Sequence, residues 1–276
     1  MSIVAMSPTL GSLGDAIGLE LARALSYEFA DQAIIVTAAE RFGEDVRKLE
    51  RFTDEKPGLW ERFRETRERY RTYVEAAIWE LAARDHVILS ARGAAFVLRP
   101  VRHALRVRIT APEPLRVSRV ASQQGLTPEA ATQLVRQNHR ERGARVKSLY
   151  QTDWDDPLAY DLVLNTEGLT VAEGTRIIQQ ALEGERFRAT ADALGAVRDL
   201  SAAAGVKAAL LADPRTRHLW LSPIACQNGR LVLGGVADRE EVRRLAEAVA
   251  AKVPGVAAVV NEIAVAVDGT RGAKPR

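Results

Sequence analysis

The sequence predicts an α/β domain with a largely parallel sheet and helices on both faces, followed by a small α+β domain of αββαβ order. Three observations predict it. Apolar runs of strand length alternate with longer segments of helical period as far as residue 182. The first run passes through the turn Gly11-Ser12-Leu13-Gly14 straight into a helical segment. After a polar, aperiodic stretch at 183–190 the pattern changes, and Asn228-Gly229 separates two further apolar runs.

Residues 2–6 read as a short buried strand, and 15–25 as a helix with Ile17, Leu21 and Leu25 on one face. Helices are expected at 40–52 and 59–84. In the second, Phe63, Tyr70, Val74, Ala77, Ile78 and Leu81 form an apolar stripe that reads as core. Residues 86–90 are a second strand, ending at Arg92-Gly93. Residues 105–109 are a third, and the alternation of Arg106 and Arg108 with apolar residues places it near an edge. A helix follows at 114–124. Thr127-Pro128-Glu129 then supplies an N-cap, a first-turn proline and an early acid for a helix running to 147. Residues 161–165 are a fourth strand, and 170–182 a closing helix.

In the second domain, 191–211 is a helix with Leu194, Val197, Leu200 and Ala204 on one face. Strands at 219–225 and 231–236 flank Asn228-Gly229, the strongest short-range hairpin signal. Asp238 caps a helix over 239–252, Pro254-Gly255 stops it, and 256–267 forms a last strand. The domains divide as 1–185 and 190–268, with a Gly, Lys and Arg tail at 269–276 that is expected to be disordered.

Of 276 residues, 47% are hydrophobic and 27% charged, the balance of a globular protein. No apolar run is long enough to cross a bilayer, and the opening residues lack the pattern of a signal peptide. The single Cys226 is compatible with a reducing compartment, so a cytoplasmic location is expected. Residues 1–189 carry 27 basic and 27 acidic side chains, which argues against nucleic acid as a partner. On charge alone, Arg136, Arg140, Arg142, Arg145 and Lys147 read as a solvated helix face.

Ligands of parallel sheets sit at the carboxyl ends of strands, where the Gly11–Gly14 turn, Arg92 and the stretch around Asp153 converge. Each has a plainer reading. Gly11 and Gly14 suit any tight turn before a helix, and Arg92 suits any strand end. Asp31 is either an N-cap or a ligand-pocket group. Asp156-Pro157 reads as a turn and cap rather than as part of a metal site with Asp153 and Asp155. His103, His139 and His218 have no metal-ligand spacing, and no metal site is expected. Trp154 and Trp220 read as packing anchors.

Three stretches resemble the cytidylate-kinase-like family in its divergent bacterial branch: GSLGDAIGLELARALSYEFAD, ARGAAFVL and DWDDPLAYDLVLNTEGLTVAE. Their order and separation span about residues 2–182. NGRLVLGGVAD, the helix after it and VPGVAAVVNEI resemble a BON domain over about 191–267. The first resemblance implies a P-loop kinase-like sheet, phosphate transfer from ATP with Mg2+ to CMP or a related monophosphate, and specific residue roles. Gly11, Ser12 and Gly14 would cradle phosphate. Asp31 and Arg92 would line the acceptor pocket, with Arg92 holding the monophosphate bidentately. Arg136, Arg140 and Arg145 would form the lid, and Arg92, Arg136 and Arg140 would neutralise charge in catalysis. The phosphate loop departs from the full pattern. Gly14 and Ala16 stand where it sets a Lys and a hydroxyl residue, and Asp15 stands where the branch often has Arg. The alternative is therefore a catalytically inactive nucleotide sensor or scaffold, whose BON-like domain binds a partner protein or a membrane surface.

Overall fold

In the computed structural model the described residues are 2–49, 64–91 and 93–266, with backbone alone for 64–67. Five parallel strands form the first sheet: β1 (Ile3–Pro8), β2 (Glu28–Ala30), β3 (Val87–Ser90), β4 (Ala104–Thr110) and β5 (Leu162–Asn165), in the order β2-β3-β1-β4-β5. β1 is central because both its edges are paired, with Val4 opposite Ile88 on one side and Leu105 on the other. Its side chains alternate between two cores. Val4 and Met6 pack with Ile17, Leu21 and Ile178 of helices α1 (Gly14–Leu25) and α7 (Val171–Leu182). Ile3 and Ala5 pack on the opposite face, against α2 (Gln32–Phe42), α3 (Arg64–Ala83) and α4 (Ala94–Val97). Helices α5 (Glu113–Gln124) and α6 (Pro128–Tyr150) pair beside the carboxyl end of the sheet.

The second unit comprises α8 (Ala191–Ala212), β6 (Trp220–Leu221), β7 (Ala225–Gln227), β8 (Arg230–Ala237), α9 (Glu240–Ala250) and β9 (Ala258–Val265). β6 and β7 run antiparallel to β8, and β9 pairs parallel on its other edge. The Asn228-Gly229 hairpin is present, with φ of 50° and 74° at the two central residues, as a primed turn requires. Helix α8 serves two cores. Val206 and Leu210 lie against β8 and α9, while Val197 and Ala208 join the core formed with α2 and α3.

Several expectations change. β2 is an additional strand, three residues long and too short to show a period. The expected 40–52 helix is interrupted: α2 starts at Gln32 and ends at Gly43, whose φ of 66° suits only glycine well, and 46–49 are helical again. Residues 50–63 lie outside the described residues, as do Arg92 and the 269–276 tail. The third strand is not at an edge, since β4 lies between β1 and β5, and its arginines are paired inside the fold. The 219–225 strand is two pieces, because Pro223 between them cannot donate to the ladder. Trp220 is no packing anchor; it is 63% exposed, opposite the half-exposed Val236.

Candidate nucleotide site

The turn after β1 is shaped by close approach. Gly11 has φ of 80°, and a Cβ there would lie 2.6 Å from the Arg116 carbonyl oxygen. A Cβ on Gly14 would lie 2.2 Å from Cβ of Pro8. Leu13 takes φ of 63° at the N-cap and supplies no side-chain cap. The Ser12 hydroxyl is turned inward: it is 1% exposed and donates to the Thr9 carbonyl at 2.7 Å. The outgoing carbonyls are also held, Gly11 by Arg119 at 3.3 Å and Ser12 by the Thr166 hydroxyl at 2.9 Å. The first N–H groups of α1 have no intrahelical acceptor, so this end can receive an anion. Asp15 stands exposed in the same first turn. It complements the helix dipole but opposes a polyphosphate.

Beside this turn, above β1 and β3, lies a cavity of about 70 Å³. Arg71 of α3 and Arg142 and Arg145 of α6 line it, together with Phe96, Tyr150 and Trp154. Arg142 Nη1 donates to the Pro8 carbonyl at 3.0 Å, where β1 enters the turn. Arg71 is held by Glu75 at 2.7 Å, and its guanidinium lies 5.8 Å from the Tyr150 ring centroid. Burial pushes the Tyr150 hydroxyl well above the usual phenol value, so it stays neutral. Gly93, with φ of 83°, lets the chain pass the Tyr150 hydroxyl, which would lie 2.6 Å from any Cβ there.

A polar cluster supports the wall of the cavity. Trp154 Nε1 donates to Ser7 Oγ at 2.7 Å, and the Tyr160 hydroxyl donates to the Trp154 carbonyl at 2.9 Å. Arg108, 4% exposed, lies with Cζ 3.7 Å from the Trp154 ring centroid and donates to Asp155 at 2.7 Å. Burial pulls the Arg108 guanidinium below its usual value, against the opposing pull of Tyr160 and Asp155. Asp156 accepts from Leu158 N–H at 2.9 Å, in keeping with the turn reading of Asp156-Pro157.

The sequence-derived site residues are only partly brought together. Gly11, Ser12 and Gly14 form the turn, and Arg145 lines the cavity. Asp31 stands at the N-cap position of α2, away from the residues lining the cavity. Arg136 and Arg140 face elsewhere on α6: Arg136 is 62% exposed and paired with Glu113 at 2.8 Å. Arg142 and Arg71 take their place on the cavity. Six residues turn a helix by about 240°, so Arg136 and Arg142 cannot share a face, whereas Arg142, Arg145 and Leu149 can. That helical phase was readable from the sequence. The roles of Arg108 and Asp155 were not, because they are set by contacts across about 50 residues of chain.

Comparison with known proteins bears on the family and the fold. The cytidylate kinase-like family matches residues 3–168, and the BON domain family matches residues 198–267. A cytidylate kinase of Pyrobaculum calidifontis is 24% identical over 178 residues, 64% of this chain and 90% of that protein. A cytidylate kinase of Methanopyrus kandleri is 31% identical over 112 residues, 38% of this chain and 58% of that protein. Among solved structures, an uncharacterized protein from Eubacterium ventriosum shares the fold, with a TM-score of 0.53 and 14% identity. The match covers 67% of this chain and all of that one. No helix among the described residues is long and apolar enough to cross a membrane.

Proposed function

Because the chain belongs to the cytidylate kinase-like family over residues 3–168, we propose that it binds a nucleoside monophosphate such as CMP with its phosphate in the cavity above β1 and β3. The observation that carries this reading is the convergence of Arg71, Arg142 and Arg145 on one cavity at the carboxyl end of the central strand. Three guanidinium groups on an apolar and aromatic wall suit a phosphate joined to a planar base. The family resemblance assigns Arg92 to the acceptor phosphate as well.

The donor half of the site is weaker. The Ser12 hydroxyl is bonded to Thr9, and no Lys follows the turn. The residues that remain are the amides at the start of α1 and the carboxylate of Asp15. A magnesium ion would be held by Asp15 and the polyphosphate's own oxygens, and when bound it supplies charge neutralisation. Arg142, on the carbonyl of Pro8, stands at the mouth of the turn, and this contact favours phosphate transfer from ATP to the bound monophosphate as a second reading. In that reading Arg142 and Arg145 neutralise the transferring group in place of the absent Lys. In the other reading the pocket senses nucleotide, and the BON domain carries the output to a partner or a membrane surface. A cytoplasmic location suits both.

The test is a calorimetric titration of CMP, then of ATP with magnesium, into the full chain, with product separation on the same samples. Binding with turnover supports a kinase, and binding without turnover supports a sensor. Absence of binding removes the nucleotide reading.

A further inference from the structure

The turn at 151–160 joins α6 to β5, and Asp155 stands in it with each carboxylate oxygen facing a different element. Oδ1 accepts from Arg108 Nη2 of β4 at 2.7 Å. Oδ2 lies 2.9 Å from Nε2 of His139, on α6. Arg108 also reaches the Ser7 carbonyl at 3.3 Å, and the next residue, Pro8, accepts from Arg142. His139 and Arg142 are three residues apart, one turn of the same helix. The contacts therefore close a ring: Ser7-Pro8, Arg142, His139, Asp155, Arg108 and back to Ser7.

We infer that Asp155 and His139 are positioning residues, tying α6 to the end of β1 so that Arg142 is held at the mouth of the phosphate turn. A single anchor leaves a helix able to swivel about it. Two anchors one turn apart, both returning to the same two residues of β1, fix rotation and slide together. The chemistry of each member suits this role. Arg108 is buried and needs a carboxylate beside it, so Asp155 is set from below whatever α6 does. That leaves the second oxygen of Asp155 for His139. The Nδ1 atom of His139 is enclosed with no partner among the described residues, and Nε2, facing a carboxylate oxygen, is the nitrogen that donates to Asp155. The His139 ring also lies 5.1 Å from that of Trp154, which limits its rotation.

What Arg142 is positioned for depends on the nucleotide reading above, but the tie itself belongs to the unliganded chain. Hydrogen exchange of the α6 amides, referred to α1 in the same full-length protein, tests it for wild type, His139→Ala and His139→Gln. Loss of one hydrogen bond to a charged group is expected to speed α6 exchange about tenfold in His139→Ala. Gln restores a side-chain N–H and is expected to return exchange to near the wild-type rate. CMP affinity, measured in parallel, should fall and recover with it. Unchanged α6 exchange in His139→Ala overturns the inference. So does a Gln variant that behaves like Ala, which would assign the effect to ring packing. If wild type binds no CMP, the reading of the cavity fails, and the exchange rates still decide the tie.

Discussion

Arg142 donates to the carbonyl oxygen of Pro8 at 3.0 Å, joining the middle of α6 to the residue at which β1 enters the turn to α1. A backbone carbonyl is a neutral acceptor, and a phosphate oxygen is a stronger partner for a guanidinium. Arrival of a phosphorylated ligand therefore favours transfer of Arg142 from protein to ligand. Arg142→Ala is expected to weaken CMP binding by about 10- to 100-fold, the range of a charge-assisted contact. Lys should recover only part of it, lacking the planar fork. Arg136→Ala should change affinity less than about twofold, because Arg136 is exposed and paired with Glu113. Calorimetry on the three variants checks the order.

Asp15 sets the second expectation. It stands in the first turn of α1, where an incoming polyphosphate meets the helix N-terminus. ATP binding should be weak and strongly dependent on magnesium, because the ion screens the carboxylate from the phosphates. Asp15→Asn should tighten magnesium-free binding by about tenfold while costing up to about 1 kcal/mol of helix stability. Equal affinity with and without magnesium in wild type would contradict this account.

A third expectation concerns acid stability. Arg106 and Asp161 join β4 to β5 through two side-chain hydrogen bonds at 2.9 and 3.0 Å, and Arg106 N–H also donates to the carboxylate. Burial pushes the Asp161 carboxyl up, but the side-chain and backbone donors of Arg106 outweigh it and hold the group below its usual value. A carboxyl lowered on folding stabilises above its unfolded value, about 3.9, and this contribution is lost as pH falls through the folded value. Asp161→Asn should therefore lower stability near neutral pH by about 2–4 kcal/mol. It should also flatten the acid limb below about pH 4. Urea midpoints measured from pH 3 to pH 7 decide it.

The sequence carried the elements whose signals are local. The Asn228-Gly229 hairpin, the Thr127 cap and the helical stripe of α3 are each written within a few residues. The turn at Gly11–Gly14 was legible as a turn, but not the inward direction of Ser12, which depends on Thr9. Arg106 and Arg108 looked like edge residues because alternating charge usually marks solvent. Their partners, Asp161 and Asp155, arrive from a distant segment and make burial tolerable. Arg142 was visible within an arginine cluster, but only the phase of α6 against the sheet distinguishes it from Arg136.

Helix α8 gives the last expectation. By sequence it opens the second domain, yet Val197 and Ala208 are buried in the core that α3 shares with the first sheet, while Val206 and Leu210 are buried against β8. A helix buried on two faces cannot be removed without exposing apolar surface on whichever unit remains. A chain shortened to residues 1–189 should therefore be less stable than the full chain by about 3 kcal/mol or more, with the α3 face uncovered. Because Arg71 and Val74 of α3 line the cavity, the shortened chain should also bind CMP more weakly. Val197→Asp in the full chain separates the two causes. It places a charge between α8 and α3 and leaves the rest of the second unit intact, so it should lower the melting temperature and CMP affinity together. A shortened chain that keeps full stability and affinity would show that α8 is only a tether.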